Sequence, residues 1–210
     1  MIEYLETELR PSPVLVVAFT GIRDSLGGIP FEFGRTMGQV PCATLFVRDI
    51  DHRWYQYGSD DSNAPDAVVH RIRSTAAKVG ANRLVCLGNS MGGFGALMFG
   101  SLLQADAVMA FAPQTAIRPA LTDSIGDKRW CRYQADIADY PHGDIALLPQ
   151  PPEVTICYGL ENALDIAHVD RLTWKFRRIA TPAGHGAVRR LKESGELVPL
   201  IASMIGGQAR

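Results

Sequence analysis

Residues 83–106 read RLVCLGNSMGGFGALMFGSLLQAD. No charged side chain occurs between Leu84 and Ala105, so the stretch is long enough and apolar enough to suggest a bilayer span. Gly88, Asn89, Ser90, Gly92 and Gly93 interrupt its middle, however, and Leu84 to Leu87 has strand character. The better reading is a buried strand over 83–87 that turns sharply into a buried helix over 92–103.

Outward from that turn, strand-like and helix-like segments alternate. Upstream, Val14 to Phe19 is a continuous apolar run ending at Thr20-Gly21. A glycine-rich loop through Gly27, Gly28 and Pro30 follows, then a short helix from about Phe33 to Gln39 and a strand from Ala43 to Arg48. From Pro65 the apolar period becomes 3.6, with Val68, Ile72, Ala76 and Val79 on one face and Gly80 as the stop, which predicts an amphipathic helix. Downstream, Ala107 to Phe111 and Val154 to Tyr158 read as strands, Asp165 to Leu172 as a helix, Trp174 to Ile179 as an edge strand, and Gly186 to Lys192 as a helix. Gln114 to Pro152 breaks the alternation and reads as an irregular excursion that partly covers a site. The pattern predicts one domain over 1–210 of class α/β, a mostly parallel sheet with helices on both faces.

Gly88-Asn89-Ser90-Met91-Gly92 matches G-x-S-x-G, in the strand-to-helix position where that motif carries chemistry. The turn pushes the serine hydroxyl up at the end of the sheet, and the flanking glycines remove side chains that would collide there. It also aims the Met91 backbone N–H at a bound acyl carbonyl oxygen, beside the positive end of the following helix, as half of an oxyanion hole. The second donor is expected from the loop after an earlier strand, at the backbone of Gly21 or Ile22. Without those companions, a glycine-rich turn with a capping serine would be the plainer account.

A serine hydroxyl needs a base, and imidazole suits proton transfer in both directions. Of the five histidines, His185 lies in the small-residue loop Thr181-Pro182-Ala183-Gly184-His185-Gly186 after the last expected strand, where the ring can approach Ser90. His52, His70 and His142 read as surface or structural residues, and His168, within a helix, as a helper or structural partner. The acid should follow the Val154 to Tyr158 strand. That loop offers Asp165, the preferred candidate, and Glu161, with Asn162 standing between them.

With strand, G-x-S-x-G, helix, acid loop and terminal histidine loop in this order, the sequence resembles the α/β-hydrolase superfamily. Phe46-Val47-Arg48-Asp49, Trp54-Tyr55, Gly88 to Gly93 and Asp165-Ile166-Ala167-His168 are similar to segments of small uncharacterised bacterial serine hydrolases. The resemblance implies a minimal α/β-hydrolase fold without a large cap. It further implies Ser90 as nucleophile, His185 as base, Asp165 as acid, Met91 with Gly21 or Ile22 at the oxyanion hole, and no metal or diffusible cofactor.

Lys plus Arg total 21 and Asp plus Glu 22, for a formal charge of −1 without long blocks of either sign. This balance predicts no nucleic-acid or membrane-surface partner, and the serine chemistry makes a small-molecule acyl substrate the expected partner. Residues 1–10 lack the basic-then-apolar order of a secretion signal, and Cys42, Cys86, Cys131 and Cys157 form no C-x-x-C pair. The expectation is a cytoplasmic protein with reduced thiols. Asp49 to Tyr57 follows a strand at its carboxyl end, so Trp54 and Tyr55, with Tyr57, are candidates for an aromatic substrate wall suited to a polar acyl compound or sugar ester. Arg129, Trp130, Arg132 and Tyr133 in the excursion are candidates for a small lid or an anion contact. The expected activity is hydrolysis of a carboxylic ester or thioester through an acyl-enzyme. The rivals are an acyltransferase or deacetylase acting on a sugar or other polar group, and a binding protein that kept the fold.

Overall fold

A computed structural model of the chain describes residues 1–7, 11–22, 31–56, 65–137 and 139–206. Among these residues seven strands form one sheet: β1 (Ile2–Thr7), β2 (Val14–Phe19), β3 (Ala43–Asp49), β4 (Arg83–Asn89), β5 (Ala107–Phe111), β6 (Glu153–Gly159) and β7 (Arg177–Thr181). Their spatial order is β1-β3-β2-β4-β5-β6-β7, parallel throughout except β1, which runs antiparallel along β3. The helices are α1 (Gly34–Met37), α2 (Pro65–Val79), α3 (Met91–Leu103), α4 (Pro119–Ile125), α5 (Cys131–Gln134), α6 (Ala163–Asp170), α7 (Ala187–Glu193) and α8 (Leu197–Gly206).

The central strands are mostly apolar and buried in their middle residues because both faces of the sheet are covered. Along β2, Leu15, Val17 and Phe19 face a core shared with Val68 and Ile72 of α2 and Phe94, Leu97 and Met98 of α3. The alternate residues Val14, Val16 and Ala18 face a second core with Met37 of α1 and Leu197, Ile201 and Met204 of α8. Cys86 and Cys157 lie buried on opposite faces, and all four cysteines are free. Burial pushes the Cys86 and Cys157 thiols up, which keeps them protonated.

Several local expectations change. The edge strand lies at Arg177–Thr181, not at 174–179, and the short helix after the first loop is confined to Gly34–Met37. The sequence pattern marks neither β1 nor α8, although α8 closes the second core. Gly27, Gly28 and Pro30 lie outside the described residues. Among the described residues, no helix is long and apolar enough to cross a membrane; 83–106 is instead β4 followed by α3.

Candidate active site

Ser90 joins β4 directly to α3 with φ 56° and ψ −118°. A positive φ at a non-glycine residue stores strain of about 1–3 kcal/mol, tolerated where the surroundings over-determine it. Here Ser90 N–H donates to the Phe111 carbonyl of β5 at 2.8 Å, and the Ser90 carbonyl accepts from Phe94 N–H at 3.0 Å. The glycines are required by contact: a Cβ on Gly88 would lie 2.0 Å from the Gly92 oxygen, and one on Gly92 2.1 Å from the Phe19 oxygen.

The loop between β7 and α7 brings His185 over this turn, with Nε2 3.0 Å from Ser90 Oγ. Its Nδ1 is 2.8 Å and 3.0 Å from the two carboxylate oxygens of Asp165. Since the carboxylate can only accept, Nδ1 carries the proton and Nε2 is left to accept from the serine hydroxyl. Gly159 makes the approach possible, because a Cβ there would meet the Gly184 oxygen at 1.9 Å. Asp165 sits in the first turn of α6 and is 1% exposed. Asn162, between the two candidate acids, caps that helix: its Oδ1 accepts from Leu164 N–H at 3.1 Å and Asp165 N–H at 3.2 Å. Glu161 is exposed, and the carboxylate that bonds His185 is that of Asp165.

Behind Asp165 stands a group that the sequence pattern does not place there. Arg129, a candidate for a lid or anion contact, turns inward instead, giving Nη1 to Asp165 at 2.9 Å, and Nε and Nη2 to Asp127 at 3.0 Å and 2.7 Å. His168, fully buried, takes Thr115 N–H on Nδ1 at 3.1 Å and so donates Nε2–H to Asp127 at 3.0 Å. Burial alone would raise the Asp127 carboxyl, but hydrogen bonds from His168 and Arg129 outweigh it and hold the group well below the usual carboxylate range. Asp127 and Arg129 come from the excursion and His168 from α6, and no periodicity in the sequence signals their meeting.

The two oxyanion candidates after β2 differ. Gly21 N–H is already bonded to Glu32 Oε2 at 2.8 Å, whereas among the described residues no hydrogen bond engages Ile22 N–H. Met91 N–H, at the first position of α3, has no partner within its helix. Gly21 as a donor to substrate is therefore corrected, and Ile22 remains.

Trp54 and Tyr55 do not line the site. Both are fully buried, with Trp54 Nε1–H donating to Gln114 Oε1 at 2.8 Å and Tyr55 O–H to the Thr20 carbonyl at 2.7 Å. Their left-handed φ values, 52° and 60°, turn the segment so that Asp49 accepts the N–H groups of Arg53 and Tyr55. Tyr57 lies outside the described residues. The cleft above Ser90, about 1050 Å³, is lined instead by Ile22, Glu32, Phe33, Trp130, Arg189 and Lys192, with Ser90 and His185 at its floor. Among the described residues, no group of His, Cys, Asp or Glu is arranged to hold a metal.

No protein-family model and no curated protein matches the sequence. Solved structures do. The Glycosylation Associate Protein (Gap123) complex from Streptococcus agalactiae matches 99% of the chain at 16% identity and TM-score 0.69, although the chain spans only 45% of that longer one. The capsule O-acetyltransferase of Neisseria meningitidis serogroup A matches 94% of the chain and 90% of its own at 15% identity and TM-score 0.65. FphF, a fluorophosphonate-binding serine hydrolase of Staphylococcus aureus, matches 97% and 98% at 12% identity and TM-score 0.65. α/β hydrolases are among the further matches. At these identities the likeness establishes the fold, and the chain has that of the α/β hydrolases.

Proposed function

We propose that this protein is a serine hydrolase that cleaves a carboxylic ester or thioester through an acyl-enzyme. The observation that carries the reading is the contiguous path from Ser90 Oγ through His185 to buried Asp165, with contacts of 3.0 Å and 2.8 Å, at the floor of an open cleft. Ser90 Oγ attacks the acyl carbon as His185 Nε2 takes its proton. The Met91 and Ile22 N–H groups receive the oxyanion. Collapse then expels the alcohol or thiol, which takes the proton from His185. Water, deprotonated by the same imidazole, releases the acid and restores Ser90. Asp165 orients the ring and stabilises the imidazolium.

Initial rates on p-nitrophenyl esters from acetyl to long acyl chains, with Ser90→Ala as control, test the reading. Serine-dependent turnover is expected, and its chain-length profile sizes the acyl pocket; rates equal to the control overturn it. Acyl transfer is the second reading, favoured by the likeness to an O-acetyltransferase and by a cleft roomy enough for an acceptor. It predicts that added alcohols capture the acyl group faster than water does. The acyl substrate is a small molecule in either case. The four free cysteines support a reducing, cytoplasmic compartment, for which activity and gel mobility indifferent to reductant are expected.

A further inference from the structure

Glu32 lines the cleft beside Ser90, and the proposed chemistry does not use its carboxylate. One of its oxygens, Oε2, accepts Gly21 N–H at 2.8 Å; the other, Oε1, accepts Asn89 Nδ2–H at 3.0 Å. Asn89 immediately precedes Ser90, and Gly21 immediately precedes Ile22. A single side chain thus ties the loop after β2 to the end of β4 that carries the serine. The packing there is close: a Cβ on Gly21 would stand 2.9 Å from the Asn89 carbonyl oxygen, 3.2 Å from Glu32 Oε2 and 3.8 Å from Ser90 Cβ. The backbone of Glu32 itself donates to Thr20 Oγ1 at 3.4 Å, while the Thr20 carbonyl is held from the other side by Tyr55 O–H.

We infer that Glu32 is a positioning residue for the oxyanion hole: it occupies the Gly21 N–H and clamps Thr20-Gly21 against Asn89, which leaves the Ile22 N–H aimed with that of Met91 at the carbonyl over Ser90. The inference rests on the serine-hydrolase reading. Its physical basis is that two backbone donors on different loops stabilise an oxyanion only if their separation is set before the reaction, since each must lie within hydrogen-bond distance of an oxygen that moves as the carbon becomes tetrahedral. The side chains of Ile22 and Met91 are apolar and form no hydrogen bond that could set it. Glu32 spans the two loops and does so through a hydrogen-bond pair that does not require a charge. An amide could reproduce it: in Glu32→Gln the side-chain carbonyl would accept Gly21 N–H, and the side-chain NH₂ would donate to Asn89 Oδ1 once the Asn89 amide turned over. Among the described residues, that Asn89 oxygen is buried without a partner. Burial raises the Glu32 carboxyl, against the hydrogen bonds from Asn89 and Gly21 and the nearby His185, so the site favours less negative charge beside the oxyanion.

The test compares Glu32→Gln and Glu32→Ala on a p-nitrophenyl ester, with Ser90→Ala alongside and melting temperatures as the control for folding. Glu32→Gln is expected to keep kcat within about threefold of the parent or to exceed it. Glu32→Ala, folded, is expected to lose on the order of 30-fold or more in kcat with KM within about twofold, because the clamp acts on the transition state and not on substrate binding. Affinity for an alkyl boronic acid, which presents a tetrahedral centre, is expected to fall in parallel with kcat. An alanine variant with the parent kcat, or a glutamine variant as impaired as the alanine one, overturns the assignment. Should Glu32→Ala fail to fold, replacing the Ile22 amide by an ester, which deletes only that N–H, is expected to cost about 100-fold in kcat, and a loss below about threefold overturns it. Turnover that persists in Ser90→Ala refutes the serine-hydrolase reading instead, whatever the Glu32 variants do.

Discussion

Replacing Arg129 with methionine would keep much of the aliphatic volume and delete three charge-assisted hydrogen bonds, two to Asp127 and one to Asp165. The carboxylates left behind are 2% and 1% exposed, so water cannot take over from the guanidinium. Removing one partner of a buried ion pair costs about 3–5 kcal/mol. The lower figure applies here, because Arg129 is itself 23% exposed and because Asp127 keeps His168 and Asp165 keeps His185. A loss of about 3 kcal/mol corresponds to a fall of about 6–12 °C in Tm for a chain of this size. The pH dependence has a definite sign. The native Asp127 carboxyl is depressed, so its contribution is present above the unfolded value of about 3.9 and is lost as pH falls through the native value. Without Arg129 that contribution shrinks. The gap between parent and variant should therefore be full from neutral pH down to about 5 and narrow below that. Urea unfolding followed by circular dichroism across this range measures it. A variant that melts within about 1 °C of the parent, or a gap that widens in acid, would refute the argument that Arg129 offsets two buried charges.

Three further outcomes are expected. Asp165→Asn should lower kcat on ester substrates by about 10³-fold or more, since the amide presents the wrong partner to His185 Nδ1, whereas exposed Glu161→Gln should stay within about threefold; steady-state rates that rank the two the other way would reassign the acid. Trp54→Phe should reduce stability by about 2–3 kcal/mol in chemical denaturation while leaving KM unchanged, because it opens a void and strands Gln114 Oε1; a shifted KM with unchanged stability would restore the ring to a substrate wall. Gly88→Ala should abolish soluble expression or cost more than about 4 kcal/mol, as the new Cβ would lie 2.0 Å from the Gly92 oxygen, and a folded variant of parental stability would show the turn to be looser than described.

Local signals made much of the architecture legible. β2 and β5 are continuous apolar runs and β4 holds one over Leu84 to Leu87, α2 shows a clear 3.6 period, and Gly88 and Gly92 mark a turn too close for a side chain. His185 and Asp165, which the structure brings into line with Ser90, stand out as candidates by chain order and residue type once Ser90 is placed. What sequence missed depends on distant pairing or on backbone sign. β1 owes its existence to pairing with β3, far along the chain, and its half-exposed face carries no clean alternation. The aromatics at 54 and 55 look like a loop wall until their left-handed φ values send both rings into the core. Glu32 lies eleven residues from Gly21 and fifty-seven from Asn89, so nothing local marks it.

The excursion between β5 and β6 illustrates the same division. As a sequence it suggests a cover, being irregular and rich in aromatic and charged residues. As a structure it is largely a brace for Asp165. Arg171, at the end of α6, donates to the Thr115 carbonyl at 2.9 Å and to Asp144 at 2.8 Å, and Ala116 bridges to Asp144 in antiparallel fashion. Thr115 also holds His168 through its N–H and, through its hydroxyl, the His168 carbonyl at 2.6 Å. The second half of the helix that presents Asp165 is therefore fastened to the excursion at His168 and Arg171, and Arg129 closes the circuit on the carboxylate itself. Among the described residues of this segment, only Trp130 reaches the cleft. A cover would have to move for substrate to enter; this segment could not move far without releasing the carboxylate that orients His185. On the proposed mechanism, access to Ser90 is thus governed by the cleft's other walls, and the excursion would serve the reaction by keeping Asp165 still.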